Sequence, residues 1–240
     1  MSNDWAVVAG ASGTIGSAVS TMLSDRGLRI FGLGREADPD RGIRSVDLTD
    51  TGAVAAIASE LDGDVRVIVH TAGPELGGGI RDVDPASVLA AMDIKVMGLL
   101  RIVRAVDPLL VPGSRIVAVT GHLGYDPIPA SVGAGVANAA LGALVRQLAA
   151  EYGPSGVTSH AVAPGPVESP RLERLIWHLA KAGDVSHDVA RQSLLDGSSV
   201  GRFATPEDVA WAVSTLLEDG AALANGSTLF LDGGRRTAIP

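Results

Sequence analysis

The chain has no cysteine. Disulfides, thiolate metal ligands and a cysteine nucleophile are excluded, and a reducing compartment such as the cytoplasm is the expected location. Aromatic residues are scarce, at 3%, so the core must be built from Ala, Val, Leu and Ile. A basic surplus is also missing: 19 Lys and Arg stand against 27 Asp and Glu, a net charge of −8. That balance suits neither a phosphate backbone nor an anionic bilayer, which argues against nucleic-acid and membrane binding. Met1-Ser2-Asn3-Asp4 form neither a basic n-region nor an apolar h-region, so no signal peptide is expected. No apolar run reads as long enough to span a membrane. Repeats, charge blocks and low-complexity linkers are absent, so one domain over 1–240 is expected. No metal is expected.

What the chain does have is 46% hydrophobic residues, enough for a large core. Short β-type runs at 5–9, 29–33, 43–46, 65–70, 115–120, 158–162 and 227–231 alternate with longer helical patterns. Several runs are nearly continuous in Val, Ile, Leu and Ala, as parallel strands covered on both faces require. Asp84-Pro85 and Thr205-Pro206 each read as an N-cap followed by proline at the first helical position. The alternation predicts an α/β fold with a doubly wound, seven-stranded parallel sheet and helices on both faces. The connection 35–42 is too short for a crossover helix. The stretch 165–200 lacks a strand signal but holds a helical piece at 171–181, and such an excursion at the carboxyl edge of a sheet predicts a lid over a ligand.

After the first strand comes Gly10-Ala11-Ser12-Gly13-Thr14-Ile15-Gly16, then a helix. A tight glycine turn at a helix N-terminus lets backbone N–H groups approach a pyrophosphate. Val69-His70-Thr71-Ala72-Gly73 follows the fourth strand, and Ala163-Pro164-Gly165-Pro166-Val167-Glu168-Ser169 the sixth. The segment from Val200 to Ala210 and Leu231-Asp232-Gly233-Gly234 complete the set. In order and spacing these five segments resemble the short-chain dehydrogenase/reductase family over essentially the whole chain. Two departures stand out: the middle glycine of the loop falls at Gly13, and His70 and Thr71 replace the two asparagines of an Asn-Asn-Ala-Gly segment. The resemblance implies a Rossmann-like fold and a nicotinamide dinucleotide. Its contacts would come from Gly10, Ser12, Gly13, Thr14, Ile15, Gly16, Thr71, Ala72, Gly73, Pro164, Gly165 and Val167.

The second strand ends in Leu33-Gly34-Arg35, with no acid to bind the ribose hydroxyls of NAD. Arg35, beside Gly34, can pair with a 2′-phosphate through its planar fork; otherwise it is a solvated surface arginine. NADP(H) is therefore favoured over NAD(H). Asp47-Leu48 resembles the family's pair at the adenine amino group, though an Asp closing a strand reads the same way.

The family's reductases use a tyrosine as proton donor, a lysine four residues later, a serine thirteen residues before the tyrosine, and an asparagine on the preceding helix. Aligned on this chain, those positions hold Ala134, Asn138, Gly121 and Lys95. All four usual groups are missing. Lys95, on an expected helix over 85–107, shares a stripe with Val88, Met92, Leu99, Ile102 and Val106. Either its stem is buried and its ammonium reaches water, or the ammonium is held inside with a lowered pKa as an acid or base. Tyr125, His122 and Thr120, on or beside the loop 121–130, are the other candidates for proton chemistry; Tyr125 reads more readily as a loop aromatic covering the core and His122 as a surface residue. The glycines Gly133, Gly135 and Gly142 in the helix expected over 131–152 suggest close approach by a ligand or a partner helix.

Three functions remain open. The first is an atypical NADP(H)-dependent oxidoreductase acting on a small to medium organic molecule. The second is a non-redox enzyme for dehydration, isomerisation or cyclisation. The third is a nucleotide-binding protein without catalysis. The resemblance also implies a homodimer or homotetramer.

Overall fold

The computed structural model describes residues 4–237; Met1–Asn3, read above as carrying no leader, lie outside them. Seven strands form one parallel sheet in the order β3-β2-β1-β4-β5-β6-β7. They are β1 (Trp5–Ala9), β2 (Arg29–Gly34), β3 (Ile43–Ser45), β4 (Val65–His70), β5 (Leu110–Val119), β6 (Thr158–Pro164) and β7 (Thr228–Leu231). The order reverses between β1 and β4, and such a switch point opens a crevice outside the carboxyl ends of the strands. Every residue of β1 and β6 is buried; β1 therefore reads as an unbroken apolar run, whereas β6 opens with the buried polar residues Thr158, Ser159 and His160.

The helices are α1 (Thr14–Asp25), α2 (Thr51–Ala56), α3 (Pro85–Met92), α4 (Gly98–Val106), α5 (Val132–Tyr152), α6 (Pro170–Gly183), α7 (His187–Leu195) and α8 (Pro206–Thr215). On one face of the sheet Leu99, Ile102, Leu141 and Leu148 pack over Val7, Ile68 and Ile116. On the other, Val19, Leu23, Val209 and Val213 pack over Val8, Val69 and Val162. Between Ala134 and Leu148, α5 buries mainly Ala, Gly and Leu. The segment Val132–Ser155 is long and apolar enough to cross a membrane by length and composition, contrary to the sequence reading, yet more than half of it is buried in this fold. It is a core helix.

Both expected proline-started helices form. Asp84 accepts from the amides of Ala86 and Ser87, and Thr205 and Asp208 form a reciprocal capping box. The connection after β2 holds only a 3-10 turn, Pro39–Arg41.

The expected continuous helix over 85–107 is broken. Asp93–Met97 is a π-helical turn between α3 and α4, with Lys95 at its centre. The wider turn shifts the buried face: Ala91 is buried before it, Val96 within it, and Leu99, Ile102 and Val106 after it, while Val88 and Met92 are only half-buried. A 3.6-residue stripe carried through the turn therefore misplaces the residues upstream of it. Such turns mark functional positions often.

Candidate active site

The glycine loop follows β1 and enters α1. Gly10 adopts φ +81°, a conformation that disfavours any side chain. A Cβ on Gly16 would overlap the Gly10 carbonyl oxygen and lie 2.9 Å from Thr71 Oγ1. Thr71 Oγ1 in turn donates to the carbonyl of Ala9 at 2.8 Å. The end of β4 thus clamps the loop where α1 begins. Gly13 caps α1 without a side-chain hydrogen bond, and no acid occupies the first turn. The free amides of Thr14, Ile15 and Gly16 and the helix dipole together make an anion site. These residues fit a dinucleotide pyrophosphate.

At the end of β2, Ser12 Oγ lies 3.1 Å from where a Cβ on Gly34 would stand. Any larger residue there would crowd Ser12. Arg35 is exposed beside it, and its carbonyl accepts from Ser45 Oγ at 2.9 Å. Arg41, which sequence reasoning passed over, donates to Ala11 O at 3.2 Å and Ser17 Oγ at 2.8 Å. A second guanidinium therefore lies across the outside of the loop. Asp47 accepts from the amide and the hydroxyl of Thr49, both at 2.8 Å, and these bonds lower its pKa. Leu48 is buried next to it.

At the other end of the crevice Lys95 and Asn138 meet. The ammonium donates to Asn138 Oδ1 at 2.5 Å. Its stem lies on Gly73, where a Cβ would sit 2.7 Å from Lys95 Cε. Gly121 faces the same carboxamide: a Cβ there would lie 2.6 Å from Asn138 Nδ2. The ends of β4 and β5 and the helix α5 therefore converge on one ammonium–carboxamide pair. Burial, and then the Arg171 guanidinium, push the Lys95 pKa down to about 8. Lys95 is half-buried, and its ammonium is engaged by the carboxamide of Asn138.

Beneath it lies His70, fully buried, its ring nitrogens without hydrogen-bond partners. Burial first and the charge of Lys95 second push its pKa down to about 3. The backbone of Ile94 and Lys95 in the π turn faces the ring. His70 is thus a neutral floor under the turn that presents Lys95.

The three remaining proton-transfer candidates are otherwise engaged. Thr120 is buried, and its hydroxyl donates to the carbonyl of Val162 at 3.2 Å. The Tyr125 hydroxyl pairs with Thr228 Oγ1 at 2.8 Å, its ring stands edge-on to Phe230, and a Cβ on Gly142 would lie 2.7 Å from its oxygen. Gly142 is one turn beyond Asn138, so Tyr125 serves the junction of α5 with β7. His122 Nδ1 lies 3.3 Å from the carbonyl of Pro164, and burial lowers its pKa. It lines the crevice at the Pro164–Gly165 bend, where Arg235 also packs. The helix glycines have partners inside the chain: a Cβ on Gly133 would meet Leu76 at 2.9 Å, and one on Gly135 would meet Leu123 O at 3.4 Å. Neither a ligand nor a second copy is needed to explain them.

The excursion 165–200 carries α6 and α7, whose Leu172, Ile176, Ala180 and Ala190 form a small core with Phe203 just beyond it. Ser169 caps α6, accepting from Leu172 N at 3.2 Å. Val167 bridges to Ala204. Arg174 binds Glu75, which joins α6 to the loop after Gly73. Among the described residues no group of three or more His, Cys, Asp or Glu is placed to hold a metal.

Sequence reasoning missed Asn138 as a partner and Arg171 as a neighbour of the ammonium. The signal for the first was present, as Lys and Asn hold each other's usual positions. Arg171 had no signal beyond being one of several lid charges.

The sequence profile of the family described as enoyl-(acyl carrier protein) reductase matches residues 10–236. The cis-4-hydroxycyclohexanecarboxylate dehydrogenase of Sinomonas cyclohexanicum is 31% identical over 247 residues, which cover 95% of each chain. A short-chain oxidoreductase of Pseudomonas aeruginosa, solved with NADPH and containing an atypical catalytic center, superposes with a TM-score of 0.85 at 25% identity, covering 98% of this chain and 97% of that one. The actinorhodin polyketide ketoreductase, solved with NADPH, gives a TM-score of 0.89 at 24% identity over 98% of each chain. The family profile covers residues 10–236 and the relatives nearly the full length, and the chain belongs to the short-chain dehydrogenase/reductase family.

Proposed function

We propose that this chain is an NADP(H)-dependent oxidoreductase of small organic substrates in which Lys95 takes the place of the usual tyrosine. The observation that carries the reading is the Lys95–Asn138 pair at the carboxyl ends of the central strands. Bound NADPH supplies the hydride. Ser12, Gly34 and Arg35 receive the 2′-phosphate, and the amides that open α1 receive the pyrophosphate. Thr71, Ala72, Gly73, Pro164, Gly165 and Val167 border the nicotinamide end. Asp47 and Leu48 border the adenine. The NADPH-bound Pseudomonas structure with an atypical center supports both the nucleotide and the altered site. The Sinomonas relative acts on a cyclohexane carboxylate, a substrate of the proposed size.

In the reducing direction the developing oxyanion takes a proton from the Lys95 ammonium, and the neutral amine recovers one from solvent. An amine with a pKa near the working pH is suited to both halves of that cycle. Asn138 holds the ammonium in place without neutralising it, because a carboxamide accepts a hydrogen bond but carries no charge. α6 and α7 act as the lid, and the unit is a homo-oligomer in the cytoplasm.

The test follows absorbance at 340 nm with NADPH and a panel of ketones, imines and conjugated carbonyls, using wild type and Lys95→Met. Substrate-dependent oxidation in wild type and its loss in the variant, with NADPH still bound, is the expected result. Turnover of substrate without nucleotide oxidation would replace the reading with proton-transfer chemistry alone.

A further inference from the structure

We infer that Asn138 touches the substrate: its Nδ2–H donates to the reacting oxygen, from the place this family gives to a serine side chain, and the substrate is a neutral carbonyl compound. This assignment rests on the reading above and names the chemistry of the group that enters that site.

The two ends of the Asn138 carboxamide face different ways. Oδ1 accepts from the Lys95 ammonium. An ammonium carries only donors, so the oxygen is the end it must meet. Nδ2 is turned to the other side, toward Gly121 just past the end of β5. A Cβ on Gly121 would lie 2.6 Å from Nδ2, 3.4 Å from Cγ and 3.8 Å from Oδ1. The position aligned with the family's serine thus has no side chain, and the amide nitrogen of Asn138 stands where one would begin. Any Cβ there would push the carboxamide aside, which accounts for the glycine.

The carboxamide is held before a ligand arrives. Asn138 is buried, and Lys95 fixes its oxygen. A Cβ on Gly124 would lie 2.8 Å from both the Cβ and the carbonyl carbon of Asn138, so the turn after Gly121 packs directly on this stretch of α5. Among the described residues Nδ2 donates to no acceptor of the chain. Nor is it one of the sealed polar atoms without a partner, which belong to Ser20, His70, Ser159 and His160. Its N–H bonds therefore open on the crevice. The hydroxyls nearby are spent, Thr120 on Val162 O and Tyr125 on Thr228 Oγ1. Ala134, one turn earlier on the same face of α5, leaves room for a substrate where the phenol is missing.

An oxygen in that room meets one N–H from Asn138 and one from the Lys95 ammonium. Two fixed donors aimed at one oxygen stabilise the negative charge that develops there as hydride reaches the adjoining carbon. A protonated imine fits badly: its nitrogen has no lone pair to accept, and the ammonium repels its charge. A ketone or aldehyde oxygen suits both donors. No bond of Asn138 breaks, and the proton still comes from Lys95.

Two measurements test the inference. The first reads the carboxamide itself. The chain has three asparagines, Asn3, Asn138 and Asn225, so asparagine-selective 15N labelling gives few side-chain NH2 signals, and Asn138→Ala identifies the one that matters. Cyclohexanone and ethyl acetoacetate are titrated in with NADP+ present, beside methylenecyclohexane, which lacks the acceptor oxygen, and methylpyrroline, a cation at neutral pH. The Asn138 protons should move downfield with the ketones alone. Asn225, bonded to Ala149 O and Ser159 N, should stay still. The second is rescue, with the ketone that wild type reduces faster. Asn138→Ala should lower turnover about 10²-fold, the usual worth of one such donor. Gly121→Ser in that background, which puts a hydroxyl where the amide stood, should recover at least tenfold, while Gly121→Ser alone should fall below wild type. Ketone-dependent movement of the Asn138 signal without any nucleotide oxidation supports the inference and faults only the redox reading. An Asn138 signal that neither ketone moves overturns it, as does equal movement with the hydrocarbon or the cation. So does a double variant that binds NADPH and recovers nothing, since Asn138 would then act only by holding Lys95.

Discussion

The Nζ of Lys95 reaches Oδ1 of Asn138 at 2.5 Å from the opposite side to the one that usually carries this family's lysine. The two residue types have changed places: asparagine stands on α5 where a lysine is expected, and lysine on the π turn where an asparagine is expected. The ammonium remains in the crevice while the tyrosine beside it has become Ala134. In the usual arrangement a lysine lowers the pKa of the phenol. Here no phenol lies next to it, since Tyr125 is bound to Thr228, and the amine is left as the group with a pKa near neutrality.

Lys95→Met should therefore reduce NADPH-dependent turnover by about 10²- to 10⁴-fold, the usual worth of a positioned acid, without weakening NADPH binding. Asn138→Ala should keep part of the activity and move its pH profile. The Asn138 oxygen accepts from the charged form and so favours it. Its loss should carry the Lys95 pKa further below 8. In wild type, reduction needs the ammonium, so the rate should hold at lower pH and fall as pH rises through about 8. Arg171 and His70 also face Lys95, but the one stays charged and the other neutral across that range. A profile of kcat against pH that does not shift in Asn138→Ala would remove the carboxamide from the mechanism.

Holding that ammonium inside has a stability consequence of defined sign. The folded pKa of about 8 lies below the ordinary value of 10.5, so the unfolded chain binds more protons between the two. Stability contributed by this group must rise as pH increases from 8 toward 10.5. At pH 7 the charged form is a net cost, up to about 3 kcal/mol on this reasoning before solvent relaxation. Lys95→Met should accordingly raise the urea midpoint at pH 7, with the gain shrinking above pH 8. A variant that is less stable than wild type at pH 7 would mean that the Asn138 bond outweighs the desolvation.

Much of the fold was legible because its strands are buried on both faces: 5–9 is an unbroken apolar run and 65–70 a Val- and Ile-rich one interrupted by Arg66, both with the observed bounds. Asp84 and Thr205 announced their helices through hydrogen bonds made within four residues. The π turn was not legible, because no local pattern marks it and the ring it faces, His70, belongs to a distant strand. The same is true of Tyr125, whose partners Thr228 and Phe230 are about a hundred residues away in sequence. Local pattern reveals local hydrogen bonds and one-sided burial; which polar side chains meet across the sheet edge is set by the packing of distant helices.

Arg35→Ala should separate the two nucleotides. Losing one guanidinium–phosphate pair costs about 1.5–3 kcal/mol, or roughly 10- to 100-fold in Kd for NADPH. NADH lacks the phosphate, so its Kd should stay within about twofold, well inside that difference. Fluorescence titration of both nucleotides checks this. If Arg35→Ala is silent and Arg41→Ala is not, the phosphate is held by the arginine that lies across Ala11 and Ser17.

Acid should unfold this protein through two histidines. Burial, helped by the charge of Lys95, holds His70 at about 3; burial, helped by Arg115, holds His160 at about 4. Both values lie below the ordinary 6.5. Between those limits the unfolded chain takes up protons that the folded chain refuses, so stability falls as pH falls from about 6.5. Each fully neutral histidine contributes a slope of about 1.4 kcal/mol per pH unit in the lower part of that window. Urea titrations at half-unit steps from pH 4.5 to 7 should show the two slopes added. His70→Gln should lose stability at pH 7, where its ring fills the space beneath the π turn, yet show a shallower acid slope than wild type. An unchanged slope would mean that the folded protein opens around His70 and lets it take a proton, and the floor under Lys95 would then be a mobile one.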